Sequence, residues 1–187
     1  MTRIVAGAAG GRTVQVPRSG TRPTSERVRE ALFSRLQHLG VVVGAEVLDL
    51  YAGSGALGLE AASRGAARVT LVEYSRPSAA LIRRNVAALG LAGVEVAASR
   101  VETFLGGAAR PADLALLDPP YDLDERRLGE VLTRLANGWL TDDAVVVVER
   151  SRRSPEPAWP LGLARLDERT YGDTRMWFAE PSPGRPA

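Results

Sequence analysis

Apolar positions divide the chain into two regimes. Near the N-terminus they are few and interrupted. Arg3–Ala6 and Arg12–Val16 read as two short strands around the glycine-rich turn Gly7–Gly11, a small hairpin. Pro17–Pro23 reads as loop. A helix is expected to start at Thr24 or Ser25, either of which can cap the free N–H groups that follow. Val28, Ala31, Leu32, Leu36 and Leu39 then recur at helical spacing, and Gly40 ends the run. From Ala45 onward the pattern becomes a strict alternation. Apolar strands are predicted at 46–50, 68–73, 94–98, 113–117 and 144–149. Helices with one apolar stripe are predicted at 56–64, 77–89 and 124–137, with a single helical turn at 101–105. Two final stretches, 163–170 and 174–180, read as an antiparallel pair turning at Gly172–Asp173.

This alternation predicts an α/β fold, a mostly parallel sheet with helices on both faces and an antiparallel strand at its C-terminal end. The four consecutive valines of Val145–Val148 suit a strand buried on both sides. The chain divides into an N-terminal basic hairpin arm (1–20), one α/β domain (21–180) and a Pro/Gly-rich tail (181–187). Such sheets bind ligands beyond the C-terminal ends of their strands, where the strand order reverses. That singles out Asp49–Gly55, Glu73–Tyr74, Ser99–Val101 and Asp118–Tyr121.

Composition narrows the chemistry. The 187 residues contain 24 basic side chains, all Arg, against 22 acidic ones. No Cys is present, which excludes disulfides, thiolate metal sites and a Cys nucleophile; a single His disfavours His-based triads and multi-His metal sites. No apolar run is long enough to span a bilayer or to serve as a secretory core, so a cytoplasmic location is expected. The net charge of +2 hides an asymmetry. Residues 1–35 hold seven Arg and two acids, whereas the remainder holds 17 Arg and 20 acids. A basic arm on a mildly acidic body suits an anionic partner.

Gly53-Ser54-Gly55-Ala56-Leu57-Gly58 fits the glycine spacing of a nucleotide-binding strand–helix turn. Asp49 stands four residues before it. A carboxylate there repels a pyrophosphate and attracts an ammonium group. Together with Glu73, suited to ribose hydroxyls, it favours S-adenosylmethionine over a dinucleotide. Asp118-Pro119-Pro120-Tyr121 closes a later strand. Two prolines fix the backbone there and remove two donors. The Asp118 carboxylate and the Pro119 carbonyl can accept both protons of an amino group on a flat ring, and Tyr121 can stack on that ring.

These residues carry a resemblance. DLYAGSGALGLEAASRGA (Asp49–Ala66), Glu73 and LLDPPY (Leu116–Tyr121) resemble the motifs of class I S-adenosylmethionine-dependent amino-methyltransferases. RIVAGAAGGR (Arg3–Arg12) and RPTSERVREALFSRL (Arg22–Leu36) are similar to the RsmD family of 16S rRNA guanine-N2 methyltransferases. The resemblance implies a Rossmann-like methyltransferase sheet and methyl transfer from S-adenosylmethionine to the exocyclic amine of one guanine in small-subunit (16S) rRNA. The implied substrate is the small subunit or its assembly intermediate, and the enzyme is expected to act as a monomer. By position Asp49, Tyr51, Gly53, Ser54 and Gly55 would line the methionine end, Glu73 and Tyr74 the ribose, Arg100 and Val101 the adenine, and Asp118, Pro119, Pro120 and Tyr121 the target base. Arg100 departs from the family, where an acidic or amide side chain commonly meets the adenine amine; the backbone of Val101 can serve instead. Arg3, Arg12, Arg18 and Arg22 would contact RNA phosphates, with Thr24 near the target pocket. Arg150–Arg153 reads as a solvated loop. Other readings share parts of this pattern: a DNA adenine methyltransferase, a protein-glutamine methyltransferase, which would more typically carry Asn at position 118, and a non-catalytic RNA-binding assembly factor.

Overall fold

The computed structural model describes residues 1–17 and 25–184. Beyond the hairpin strands β1 (Thr2–Arg3) and β2 (Thr13–Val14) comes helix α1 (Glu26–His38). Ser25 caps it, its hydroxyl accepting the Val28 N–H at 3.3 Å. Then follow β3 (Glu46–Leu50), α2 (Ala56–Ser63), β4 (Arg68–Val72), α3 (Arg76–Leu89), β5 (Val94–Ala97), α4 (Val101–Phe104), β6 (Ala112–Leu117) and α5 (Glu125–Ala136). The chain closes with β7 (Leu140–Ser151), β8 (Leu163–Tyr171) and β9 (Thr174–Pro181).

Seven strands form one sheet in the order β5-β4-β3-β6-β7-β9-β8. The strands from β5 to β7 run parallel, and β9 is antiparallel to both its neighbours. The chain winds outward from β3 through β4 to β5, then returns to place β6 on the other side of β3. The order therefore reverses between β3 and β6.

Strand periodicity sorts the core. Val47, Val69, Leu71, Leu114, Leu116, Val145 and Val147 point to one face, where they meet Leu32, Phe33 and Leu36 of α1, Leu57 of α2 and Ile82 of α3. Leu48, Leu50, Ala115, Leu117, Val146 and Val148 point to the other face and meet Leu128, Val131, Leu132 and Leu135 of α5. Helices on both faces leave the inner strands without a solvated side, which explains their continuous apolar runs.

Two elements differ from the sequence pattern. Strand β7 begins at Leu140, earlier than expected. Its register with β6 shifts between the pairs Ala112↔Leu140 and Leu114↔Val145. The exposed Asp142 and Asp143 fall in this irregular stretch, and two adjacent acids do not read as strand. The hairpin strands are shorter than expected because their backbone is used elsewhere. Val5 and Ala6 donate their N–H groups to the Glu60 carboxylate of α2, at 2.7 and 3.0 Å. Ala8 donates to the Ser63 carbonyl at 2.7 Å. Gly7, at φ +83°, lies so close to α2 that a Cβ would stand 1.8 Å from that carbonyl oxygen. Ile4, Ala9 and Val14 pack with Leu59 and Leu89 beneath this contact.

The hairpin is thus docked on the body, and its anchor is ionic. Glu60 is fully buried, with Arg64 Nε at 2.7 Å and Arg29 Nε at 3.4 Å. Arg29 is also fully buried, donates to the Arg3 carbonyl, and has its pKa lowered by burial against the pull of Glu60. Arg29 therefore serves as a core ion-pair partner, and the basic arm presents less free charge than its arginine count suggests. Breaking such a buried cluster leaves an uncompensated charge. Glu60→Ala is expected to lower unfolding free energy by about 3–5 kcal/mol in denaturant titration. Arg3→Ala, which removes an exposed pair with Glu26, is expected to cost under about 1 kcal/mol.

Candidate active site

The strand ends around the β3/β6 reversal carry acids on a single face of the sheet. Asp49 follows Val47 on β3 in steps of two, and Glu73 follows Val69 and Leu71 beyond β4. Asp118 follows Leu114 and Leu116 beyond β6, and Glu149 follows Val145 and Val147 on β7. With period-two alternation, all four side chains project to the α1–α3 side. Their depths differ. Leu50 pairs with Leu117 and Val72, and Leu117 pairs with Val148, so Glu73, Asp118 and Glu149 occupy one level. Asp49 lies two residues lower, roughly 6–7 Å deeper in the sheet.

The loop between β3 and α2 is held from both sides by these carboxylates. Asp49 Oδ2 accepts the Gly58 N–H at 2.8 Å, and Glu73 Oε2 accepts the Gly53 N–H at 2.8 Å. The other Glu73 oxygen accepts the Ser75 N–H at 2.7 Å, at the start of α3. Gly58 has no alternative: a Cβ there would lie 2.6 Å from Leu71 Cδ2 and 3.0 Å from Asp49 Oδ2. Tyr51, at φ +68°, is the one non-glycine with left-handed backbone among the described residues. A conformation of that kind costs about 1–3 kcal/mol and persists only where its surroundings impose it. Here the imposed turn lets Ala52 donate to the Val72 carbonyl at 3.0 Å and brings Gly53 to Glu73.

Above this floor lies an open cleft of about 650 Å³, within the range of roughly 300–1,000 Å³ usual for small-molecule sites. Tyr51, Gly53, Glu73, Tyr74, Arg100 and Val101 line one part, and Asp118, Pro119, Pro120 and Tyr121 the other. Asp49 and the loop residues Ser54 and Gly55 are buried and lie off the cleft wall. Arg100 places its guanidinium over the Tyr74 ring at 5.9 Å. The Tyr121 ring is 77% exposed at the mouth, a flat apolar face open to an incoming ring.

The rim after Asp118 is braced from behind. Arg150 is buried and donates to the Leu123 carbonyl at 3.0 Å while pairing with Glu125 at 2.5 Å. It therefore does not belong to the solvated loop expected for 150–153; Arg152 and Arg153 are exposed. Burial, with the added charges of Glu149 and Asp49, holds the Asp118 carboxyl well above the usual carboxylate range. Burial likewise pushes Asp49 up to about 7, against the lowering effect of the Gly58 N–H. A cation entering the cleft would relieve both.

The hairpin arginines occupy a separate region. Arg12 donates to the Leu89 carbonyl at 2.8 Å and also to that of Ala88, closing the C-terminal end of α3, and Arg3 pairs with Glu26. Neither lines the cleft, but Pro17 does. Arg18, Arg22 and Thr24 lie outside the described residues. Glu149 was not singled out by sequence reasoning. The signal was present, since it is an acid that directly follows a buried apolar run, as Glu73 and Asp118 do. Among the described residues no cluster of His, Cys, Asp and Glu could hold a metal ion, and no helix is long and apolar enough to cross a membrane.

A family model described as "Conserved hypothetical protein 95" matches residues 2–180. The Ribosomal RNA small subunit methyltransferase D of Escherichia coli K12 is 40% identical over 174 residues, covering 91% of this chain and 85% of its own length. The Haemophilus influenzae protein of the same name is 35% identical over 178 residues, covering 91% and 89%. The solved structure of a putative methyltransferase from Escherichia coli superposes with a TM-score of 0.86 at 34% identity, covering 96% of this chain and 97% of the other.

The raised Asp49 sets a pH dependence of stability. Between its ordinary value of 3.8 and about 7, the folded chain keeps a proton that the unfolded chain releases. Stability contributed by this group is therefore present at acid pH and lost as pH rises through that window. Asp49→Asn, which keeps an acceptor for Gly58, is expected to remove a slope worth up to about 4 kcal/mol. Urea midpoints of the ligand-free protein and the variant at pH 5 and pH 8 check it.

Proposed function

This chain belongs to the Conserved hypothetical protein 95 family, and from that membership we propose that it methylates the exocyclic N2 amine of a guanine in small-subunit (16S) rRNA. It is an S-adenosylmethionine-dependent rRNA methyltransferase. The observation that carries the finer reading is that one cleft joins Gly53 and Glu73 to Asp118–Tyr121.

The residues present fit the cofactor. Glu73 lines the cleft with both oxygens fixed by backbone N–H groups, so its remaining lone pairs are oriented for two ribose hydroxyls. The acids along this face suit a ligand that carries ammonium and sulfonium charge and no phosphate. Asp49 supports the Gly loop at Gly58 and supplies negative charge beneath the methionine end. Tyr74, Arg100 and Val101 take the adenosine side. S-adenosylmethionine supplies an electrophilic methyl on a positively charged sulfur.

The remaining work falls to the chain. A guanine amine is a poor nucleophile because its lone pair is delocalised into the ring. Asp118 and the Pro119 carbonyl hold its two protons, which favours a pyramidal nitrogen aimed at the methyl group. Tyr121 stacks on the ring and Arg150 keeps this rim in place through Leu123. Asp118 accepts the proton that the nitrogen loses. In the ligand-free site burial and the charges of Glu149 and Asp49 favour its protonated form; the cationic cofactor and the N–H donors of the base favour the ionised form, so the acceptor is ready when both ligands are bound. Holding the partners in line supplies most of the rate.

Arg18 and Arg22, in the stretch joining Pro17 at the cleft to Ser25, are assigned to RNA phosphates, with Thr24 beside them and Arg3 and Arg12 on the hairpin flank. The substrate is the small subunit or its assembly intermediate, met in the cytoplasm by a monomeric enzyme. Mass spectrometry of rRNA from cells lacking the gene tests the assignment, with loss of one N2-methylguanine expected. Unchanged rRNA with missing DNA methyladenine would favour the adenine methyltransferase reading instead. Asp118→Ala is expected to lower methylation at least a hundredfold, or about 3 kcal/mol, with cofactor affinity by calorimetry kept within about tenfold. Cofactor affinity of the unaltered enzyme should rise with pH to about 7 and level off above it, because the bound cation favours ionised Asp49.

A further inference from the structure

Asp118 and Pro119 alone do not tell guanine from adenine. Both bases offer an amino group with two protons, and the same acceptors hold either one. The bases differ at the adjacent ring nitrogen. Guanine N1 carries a proton and donates; adenine N1 carries a lone pair and accepts. A site that selects guanine through this edge needs a second acceptor beside the first.

Glu149 stands in that place. It lies in β7 at the level where Asp118 follows the end of β6, one strand over, on the same face of the sheet. It borders the main cleft together with Asp118, Pro119 and Tyr121. The same four residues also border a small adjoining hollow of about 20 Å³ that reaches Ser154 and Thr174. Neighbouring strands lie about 4.8 Å apart, so two carboxyls at one level of adjacent strands can meet neighbouring donors of one flat edge. We propose that Glu149 is the specificity-determining residue of the target pocket, accepting the guanine N1–H while Asp118 and Pro119 hold the N2 amine.

The arrangement also rejects adenine. Its N1 lone pair would face a carboxylate oxygen, leaving both without a donor. Sites built around a required hydrogen bond reject analogues that lack it far more strongly than apolar pockets reject an extra methylene. The charge of Glu149 acts on Asp118, and a base edge that presents three protons can meet both carboxyls.

This inference rests on the guanine-N2 reading, and its test separates the two. Small-subunit rRNA particles from cells lacking the gene are methylated by the full-length enzyme, and the product is mapped by mass spectrometry. Particles are then rebuilt with 2-aminopurine at the mapped position; that base keeps the N2 amine and has a bare N1. The unaltered enzyme is expected to prefer guanine by at least about a hundredfold in kcat/KM. Glu149→Gln offers an amide N–H to the bare N1 and should bring the two bases within about tenfold, with a gain on 2-aminopurine. Glu149→Asp should retain the preference. Cofactor affinity within about threefold across the three proteins shows that each is folded. An unchanged preference in Glu149→Gln, equal loss on both bases, or an unaltered enzyme that does not discriminate would overturn the role of Glu149 and leave the guanine-N2 reading standing. A mapped product other than N2-methylguanine would overturn both.

Discussion

The site depends on burying negative charge at the ends of parallel strands. A carboxylate moved from water into a sheet interior is strongly disfavoured unless backbone donors or opposite charge meet it. Two of the four acids here are met by N–H groups of the loop they support: Asp49 by Gly58 and Glu73 by Gly53 and Ser75. The same bonds shape the loop, so the stability of the acids and the geometry of the cleft floor are one problem. Asp118, next to Glu149 and above Asp49, is left with a strongly raised pKa. Its environment is suited to receiving a cation and a row of N–H donors. Ligand and protein each supply what the other lacks.

A second buried charge organises the N-terminus. Glu60 draws two backbone N–H groups out of the hairpin ladder and holds Arg29 and Arg64. The hairpin thereby becomes part of the body, and its chain leads on to Pro17 at the cleft. Arginine suits this arrangement because its planar fork serves several acceptors from a fixed position. Arg29 reaches Glu60, Thr2 and the Arg3 carbonyl, while Arg12 closes α3.

Most of the sheet was legible in the sequence from Glu46 onward, because strands buried on both faces read as unbroken apolar runs and the glycines mark where helices stop. That the Gly53 loop and the Asp118 rim border one cleft was legible too, since both follow strands at the reversal of strand order. The hidden features share one cause: an acidic or basic residue whose partner is remote in sequence. Glu60 and Arg64 stand four apart on a helix, and nothing local announces that Val5 and Ala6 donate to Glu60. Arg150 reads as the edge of a basic loop until Leu123 and Glu125 are brought beside it. Glu149 looks like the polar end of a valine run until β6 is placed alongside. Tyr51 adopts a backbone conformation that tyrosine disfavours, one that only the closed turn imposes.

The depth of Asp49 and the shared level of Glu73, Asp118 and Glu149 bear on how the enzyme is made. These positions come from four strands, the first and last of them far apart along the chain, and no shorter stretch contains the set. A nascent chain has no complete active site until β7 has left the ribosome and paired with β6. Free cofactor stabilises the folded state by mass action. Because the pairing of β3 with β6 must wait for the intervening β4–β5 excursion, this non-local step is a natural candidate for the slow event in folding.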